Sequence, residues 1–185
     1  MLTQEQKDVI LKLAKEAVVS AVTQRDVDKS EWLRRYPWLK EKGAVFVTLK
    51  KGGELRGCIG SIVAHRSLID DIIYNAKAAA LNDPRFNPVS ANELKDIKVE
   101  VSYLTHPKPL EYKDISDLKN KIRPGIDGVI LNLNGHQATY LPSVWEQLPS
   151  FYAFFATLCQ KAGLNNNCLE YHPDIYTYEA VEIKD

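Results

Sequence analysis

Two tight-turn dipeptides, Gly52-Gly53 and Asn134-Gly135, each stand between short apolar runs rich in β-branched residues. Such pairs supply the positive-φ backbone that a two-residue hairpin requires. They predict antiparallel strand pairs at 44–49 with 55–62 and at 129–133 with 136–141. Strict alternation over 97–103 and over 175–183 predicts two further half-buried strands. Apolar residues at helical spacing from Val9 to Val22, opened by Thr3 with Gln6, predict a long amphipathic helix. Ser67 with Asp70 opens a second helix carrying Leu68, Ile72, Ala76 and Ala79, stopped at Asp83-Pro84. Ser90 with Glu93 suits the cap of a short turn, and a Phe-rich helix runs from Ser150 to Gly163. Hairpins separated by helices give an α+β fold: a mixed, largely antiparallel sheet packed with helices, both hairpins sharing one core. A doubly wound parallel sheet would need regular strand–helix alternation, which the chain lacks.

With 185 residues, 45% of them hydrophobic, the whole of 1–185 fits one domain with a substantial core. Twenty-four basic residues balance 24 acidic ones, which removes any global electrostatic pull towards nucleic acid or anionic membrane. No run approaches the roughly 18 apolar residues of a membrane span, and the first residues lack a secretory pattern. Phosphate-binding loops, dinucleotide fingerprints and nucleophile elbows are absent. The four histidines are scattered at 65, 106, 136 and 172, so no metal site is expected. Three cysteines without C-x-x-C spacing point away from a disulfide framework and towards a reduced, cytoplasmic setting.

One segment stands apart, Leu55-Arg56-Gly57-Cys58-Ile59-Gly60. In an extended strand Arg56 and Cys58 share a face. A guanidinium beside a thiol favours the thiolate, the nucleophilic form, and the glycines leave room for a ligand or for another backbone to approach. The competing reading is packing. A plain two-residue turn sets Cys58 opposite Val47 and Gly60 opposite Val45, a small buried hydrophobe in a central hairpin; a one-residue shift would send it to the other face. Cys159 falls among the apolar residues of the Phe-rich helix and reads as core, whereas Cys168, after Asn165-Asn166-Asn167, reads as an exposed, incidental thiol.

That six-residue motif occurs in order with Gly43 to Leu49, Ala78 to Phe86, Glu93 to Thr105, Gly125 to Val129, Ala138 to Pro142 and Lys161 to Leu164. In this succession the chain resembles the AMMECR domain family over essentially its whole length. The resemblance implies a cytoplasmic α+β protein with a larger and a smaller lobe. It also implies a place as the A component of an AmmeMemoRadiSam-type system, beside a Memo-like protein and a radical S-adenosylmethionine (radical SAM) protein. It implies no reaction and no cofactor.

The family motifs land on Arg56, Gly57, Cys58, Gly60, Asp83, Arg85, Glu100, Ser102 and Tyr140. Cys58 as nucleophile and Glu100 as proton carrier would be the catalytic pair; Arg56, Gly57, Gly60, Asp83, Arg85, Ser102 and Tyr140 would bind. Glu100 and Ser102 share the polar face of their strand. Arg85 offers a planar fork of donors suited to an anion, although Asp83 suits a turn cap and Arg85 with Glu100 an ion pair equally well. Tyr140, opposite Val129 in the Asn134-Gly135 register, suits packing with a hydroxyl handle. A non-catalytic adaptor with a pocket at the same motif is the alternative; a nucleic-acid-associated regulator fits the zero net charge poorly.

Overall fold

The computed structural model describes residues 1–185 and divides into two compact units, Met1–Leu104 with Val181–Asp185, and Thr105–Ala180. In the first, the strands β1 (Ala44–Lys51), β2 (Glu54–Gly60), β3 (Ile97–Leu104) and β8 (Ala180–Ile183) form a sheet in the order β2-β1-β3-β8. β1 pairs antiparallel with both β2 and β3. The helices α1 (Gln4–Val22) and α3 (Leu68–Leu81) pack on it, and α2 (Lys29–Arg35) lies between them in the chain. Their buried stripes, Ile10, Leu13, Ala14, Ala17 and Val18 on α1 and Leu68, Ile69, Ile72, Ala76 and Ala79 on α3, meet Val45, Val47, Leu49, Val99 and Val101. Each fully buried leucine or isoleucine there contributes roughly 1.5–3 kcal/mol. The caps lie where the sequence puts them: Thr3 and Gln6 form a complete capping box, and Ser67 accepts from the Asp70 amide.

The second unit has its own sheet, β4-β7-β5-β6, from β4 (Lys108–Pro109), β5 (Gly128–Leu133), β6 (His136–Tyr140) and β7 (Asp174–Tyr178). The helices α4 (Ile115–Lys121), α5 (Val144–Gln147) and α6 (Phe151–Lys161) complete it. Phe151, Phe154, Phe155 and Leu158 of α6 join Trp145, Val129, Leu131 and Ile175 in a separate core. The architecture is therefore α+β with two sheets and two cores, so the two hairpins do not share one core as their turn chemistry suggested. The 175–183 run explains the difference. It is not a single strand: Glu179 interrupts it, β7 completes the second sheet and β8 completes the first.

The cysteines need a second correction. Cys159 and Cys168 are joined in a disulfide, and Cys168 is 2% exposed rather than a surface thiol. Gly163, at φ +82°, reverses the chain after α6, so that the 3-10 turn Cys168–Tyr171 folds back against it. The polar Asn165-Asn166-Asn167 run is the bend, and the cysteine after it faces inward. Cysteine usage thus gives no argument for a reducing compartment. Native thiol titration should find one reactive cysteine, against three after unfolding in reductant. Reducing the bridge should cost about 2–3 kcal/mol, the loop-closure entropy of so short a ring, read as a lower melting temperature. No helix is long and apolar enough to cross a membrane.

Candidate functional site

The first unit builds its site from a β-bulge. Leading out of the Gly52-Gly53 turn, Lys51 pairs with Glu54 and Lys50 with Leu55, as a two-residue turn dictates. The register then slips: Leu49 pairs with Gly57, so Arg56 is the extra residue. Beyond the bulge every side chain of β2 changes face. Cys58 lies opposite Thr48 instead of Val47, and Gly60 opposite Phe46 instead of Val45. The expected pairings are thus off by one residue, and Cys58 leaves the core face. It is half-buried and free, and Thr48 Oγ1 lies 3.2 Å from its sulfur.

The bulge also separates the two halves of the Arg-Gly-Cys motif. Arg56 swings to Glu93, with Nε and Nη2 donating at 3.1 Å each to the two carboxylate oxygens. Glu93 also accepts from the Ser90 amide and from Lys51. Arg56, then the Ser90 N–H, then Lys51 hold the Glu93 carboxyl well below the usual carboxylate range. The Nη1 of Arg56 is buried without a partner. Arg56 is therefore a clamp between the bulge and the Ser90–Glu93 capping box.

The cation at Cys58 is Arg85. α3 ends at Leu81, and Asp83-Pro84-Arg85-Phe86 forms a turn closed by the Phe86 N–H donating to the Asp83 carbonyl. Asp at the first position and Pro at the second are what such a turn favours. The Asp83 side chain is 2% exposed and fully engaged. It accepts from the Arg85 amide and Nε at 3.1 Å, from Arg85 Nη2 at 2.8 Å and from the Cys58 amide at 3.0 Å. The Arg85 fork, followed by the two backbone N–H groups, keeps Asp83 far below the ordinary carboxylate range. Arg85 Nη2 reaches the Cys58 carbonyl at 3.4 Å, and about half of the Arg85 side chain remains open to solvent. Its own pKa is raised, first by the hydrogen bonds to Asp83 and then by the charge of that carboxylate. Phe86 lies under both guanidiniums, 5.9 Å from that of Arg56 and 5.4 Å from that of Arg85.

The glycines serve this packing. A Cβ on Gly57 would lie 2.2 Å from the Ala79 carbonyl oxygen, and one on Gly60 would lie 2.1 Å from the Phe46 ring. The room beside them is filled by α3 backbone and by an aromatic ring. Across the sheet Cys58, Thr48 and Glu100 form a row on adjacent strands, and Glu100 pairs with Lys50 at 3.4 Å. Ser102, opposite Phe46, donates to Glu182 at 2.9 Å. Tyr140 belongs to the second unit. It pairs with Val129 as its register predicts, lies edge-on to Phe154 at 5.2 Å and carries the Lys161 ammonium 5.1 Å from its ring centre.

Two features escaped the sequence reading. Thr48 looked like an ordinary strand residue. Asp71, fully buried, accepts from the Val45 amide and from Ser61 and lies 3.0 Å from Arg66 Nε, while Asn75 donates to Val45 and Ser61. A signal for that network existed: Asp71 and Asn75 stand four apart within the apolar stripe of α3. No group of three or more His, Cys, Asp or Glu side chains is arranged to hold a metal ion.

A family model described as AMMECR1 matches residues 11–183. A protein of Methanothermobacter thermautotrophicus is 42% identical over 148 residues, covering 76% of this chain and 74% of that protein. One from Methanopyrus kandleri is 35% identical over 97% of this chain and 88% of its own length. The crystal structure of an uncharacterized protein from Pyrococcus horikoshii superposes with a TM-score of 0.84 at 31% identity, over 98% of this chain and 92% of that one.

Proposed function

Since the chain belongs to the AMMECR1 family, we propose a function from the chemistry at Cys58: a thiol centre that binds a small electrophile and attacks it. The observation that carries this reading is the position of the sulfur. It stands on the polar side of the sheet, 3.2 Å from the Thr48 hydroxyl, while the half-open Arg85 guanidinium reaches the carbonyl of the same residue at 3.4 Å. Arg85, paired to Asp83 but half open to solvent beside the Cys58 carbonyl, offers donors to an anionic group of the substrate. Thr48 and Glu100 continue the row across the sheet, and Glu100 is the carboxylate on that row to take up the thiol proton as the bond from sulfur to substrate forms. Within this reading the protein acts in the cytoplasm as a component of a Memo-like and radical SAM system, the partners that the family resemblance supplies.

Native alkylation by iodoacetamide, read as peptide mass at Cys58, tests the centre. Cys58 should react in the folded protein, and Arg85→Gln should slow it by up to about fivefold, the roughly 1 kcal/mol that a nearby unit charge is worth in a largely aqueous setting. Arg56→Lys should slow it less, because that guanidinium is spent on Glu93. A Cys58 that reacts only on unfolding would overturn the reading and leave a non-catalytic binding subunit.

A further inference from the structure

We infer that the furrow between the C-terminal halves of α1 and α3 is a binding site for a small amphipathic carboxylate, an aliphatic chain ending in a single negative charge. The furrow has a volume of about 420 Å³, within the range of small-molecule sites. Its floor is aliphatic throughout: Ala17 and Ala21 of α1, Val27 of the connection that follows, Ile73 and Leu81 of α3. No aromatic side chain lines it, so it gives a hydrocarbon chain methyl contacts and gives a ring no stacking partner. Its rim carries Ser20, Gln24, Arg25, Asp26 and Lys77. The charged groups that flank this stretch in sequence are engaged: Asp28 caps α2 through the Glu31 amide, and Lys29 pairs with Asp70. Arg25 and Lys77 stand exposed, with no carboxylate paired to either. Two free cations against Asp26 leave one net positive charge on the rim, which complements one carboxylate better than a dianionic phosphate.

The way α1 ends supplies an independent reason. Gln24 takes φ +57°, its N–H donates to the Ala21 carbonyl, and the Arg25 N–H donates to the Ser20 carbonyl at 2.8 Å. That is a Schellman stop, which glycine makes without strain and which commonly closes on an apolar contact between the two positions that Arg25 and Ser20 hold here. In this chain a glutamine bears the left-handed backbone, at a cost in strain, and a guanidinium and a hydroxyl replace the apolar pair. Polar side chains thus face the furrow where helix termination alone favours glycine and an apolar contact. Nor are the two cations spent on the helix ends. The Val19 carbonyl accepts from the Thr23 N–H and hydroxyl, and on α3 the Ala78 and Ala80 carbonyls accept from the Asn82 and Val89 amides. The guanidinium and the ammonium are left for a ligand, whose chain lies on the alanines and Ile73 while its carboxylate reaches Arg25 and Lys77.

The test titrates the folded chain with sodium octanoate and follows amide proton–nitrogen spectra, with octyltrimethylammonium as the same hydrocarbon bearing the opposite charge. Octanoate should bind saturably at one site, moving the amides of Ala21, Gln24, Val27 and Leu81, and about tenfold more tightly than the cation. Arg25→Gln and Lys77→Gln should each weaken it about fivefold, the effect of one nearby unit charge in water, and Asp26→Asn should tighten it by a similar factor. Ala21→Leu fills the floor and should abolish binding; should that variant fail to fold, the three charge variants, all at exposed positions, still decide. Shifts that never saturate, that fall outside the furrow, or that survive both cation substitutions unchanged overturn the site. Equal binding of the two probes overturns the carboxylate assignment and leaves only an apolar furrow. Furrow amides that move with protein concentration alone mean that a second copy of the chain covers it, and overturn the proposal as well.

Discussion

Asp83→Ala is expected to destabilise the protein by about 3 kcal/mol and to lower the native reactivity of Cys58 in the same variant. The carboxylate is buried, accepts four hydrogen bonds and neutralises the only cation that reaches the Cys58 backbone. Removing it strands the Cys58 and Arg85 amides and frees the guanidinium. Charged hydrogen bonds are worth about 1.5–3 kcal/mol each, and part is recovered because Arg85 can turn to water. The loss is pH-dependent with a definite sign. Folding lowers the pKa of Asp83, and that of Glu93 with it. Both stabilise the fold above their unfolded values, near 4, and the contribution drains away as pH falls through the lower folded values. Urea midpoints for wild type and Asp83→Asn should therefore differ most at neutral pH and converge below about pH 4. A constant gap down to pH 2 would mean that the carboxylate charge contributes nothing.

The hairpins, the helix caps and the Asp83-Pro84 stop were legible because each rests on residues within a few positions of one another. Gly52-Gly53 sets the first pairs of its hairpin, and Asn134-Gly135 sets all of its own, down to Val129 with Tyr140. What could not be read was the residue count of the β2 ladder. One extra residue at Arg56 leaves composition and turn chemistry untouched yet reverses the face of Cys58. The partner that draws Arg56 out, Glu93, is 37 residues away and recognisable only once the capping box at Ser90 sits beside the hairpin. The site followed the same rule. Arg56 seemed the natural cation because it is two residues from Cys58, whereas Arg85 gets there through the packing of α3. The disulfide was hidden by composition, since Asn165-Asn166-Asn167 describes the bend and not the inward-facing residue after it.

Gly57 is the residue on which this packing depends, and Gly57→Ala is expected to cost about 3 kcal/mol, at the upper end for overpacking. The added Cβ would meet the Ala79 carbonyl oxygen at 2.2 Å. That oxygen is backbone within the last turn of α3, so relief requires the helix end or β2 to move as a body. Either movement pulls Asp83 from the Cys58 amide and carries Arg85 with it, so stability and thiol reactivity should fall together. Gly60→Ala makes a similarly short contact, but with the Phe46 ring. A ring can swing about its own torsions, so the cost there should be smaller, with the Asp83–Cys58 hydrogen bond preserved. Gly53→Ala meets nothing within 4 Å and bears only the strain of φ +81°, about 1 kcal/mol. Thermal unfolding and native Cys58 alkylation on the three variants separate these causes. If Gly57→Ala loses stability but retains wild-type reactivity, the α3 turn positions Arg85 independently of the β2 backbone, and the chain of contacts from glycine to thiol is broken at Asp83.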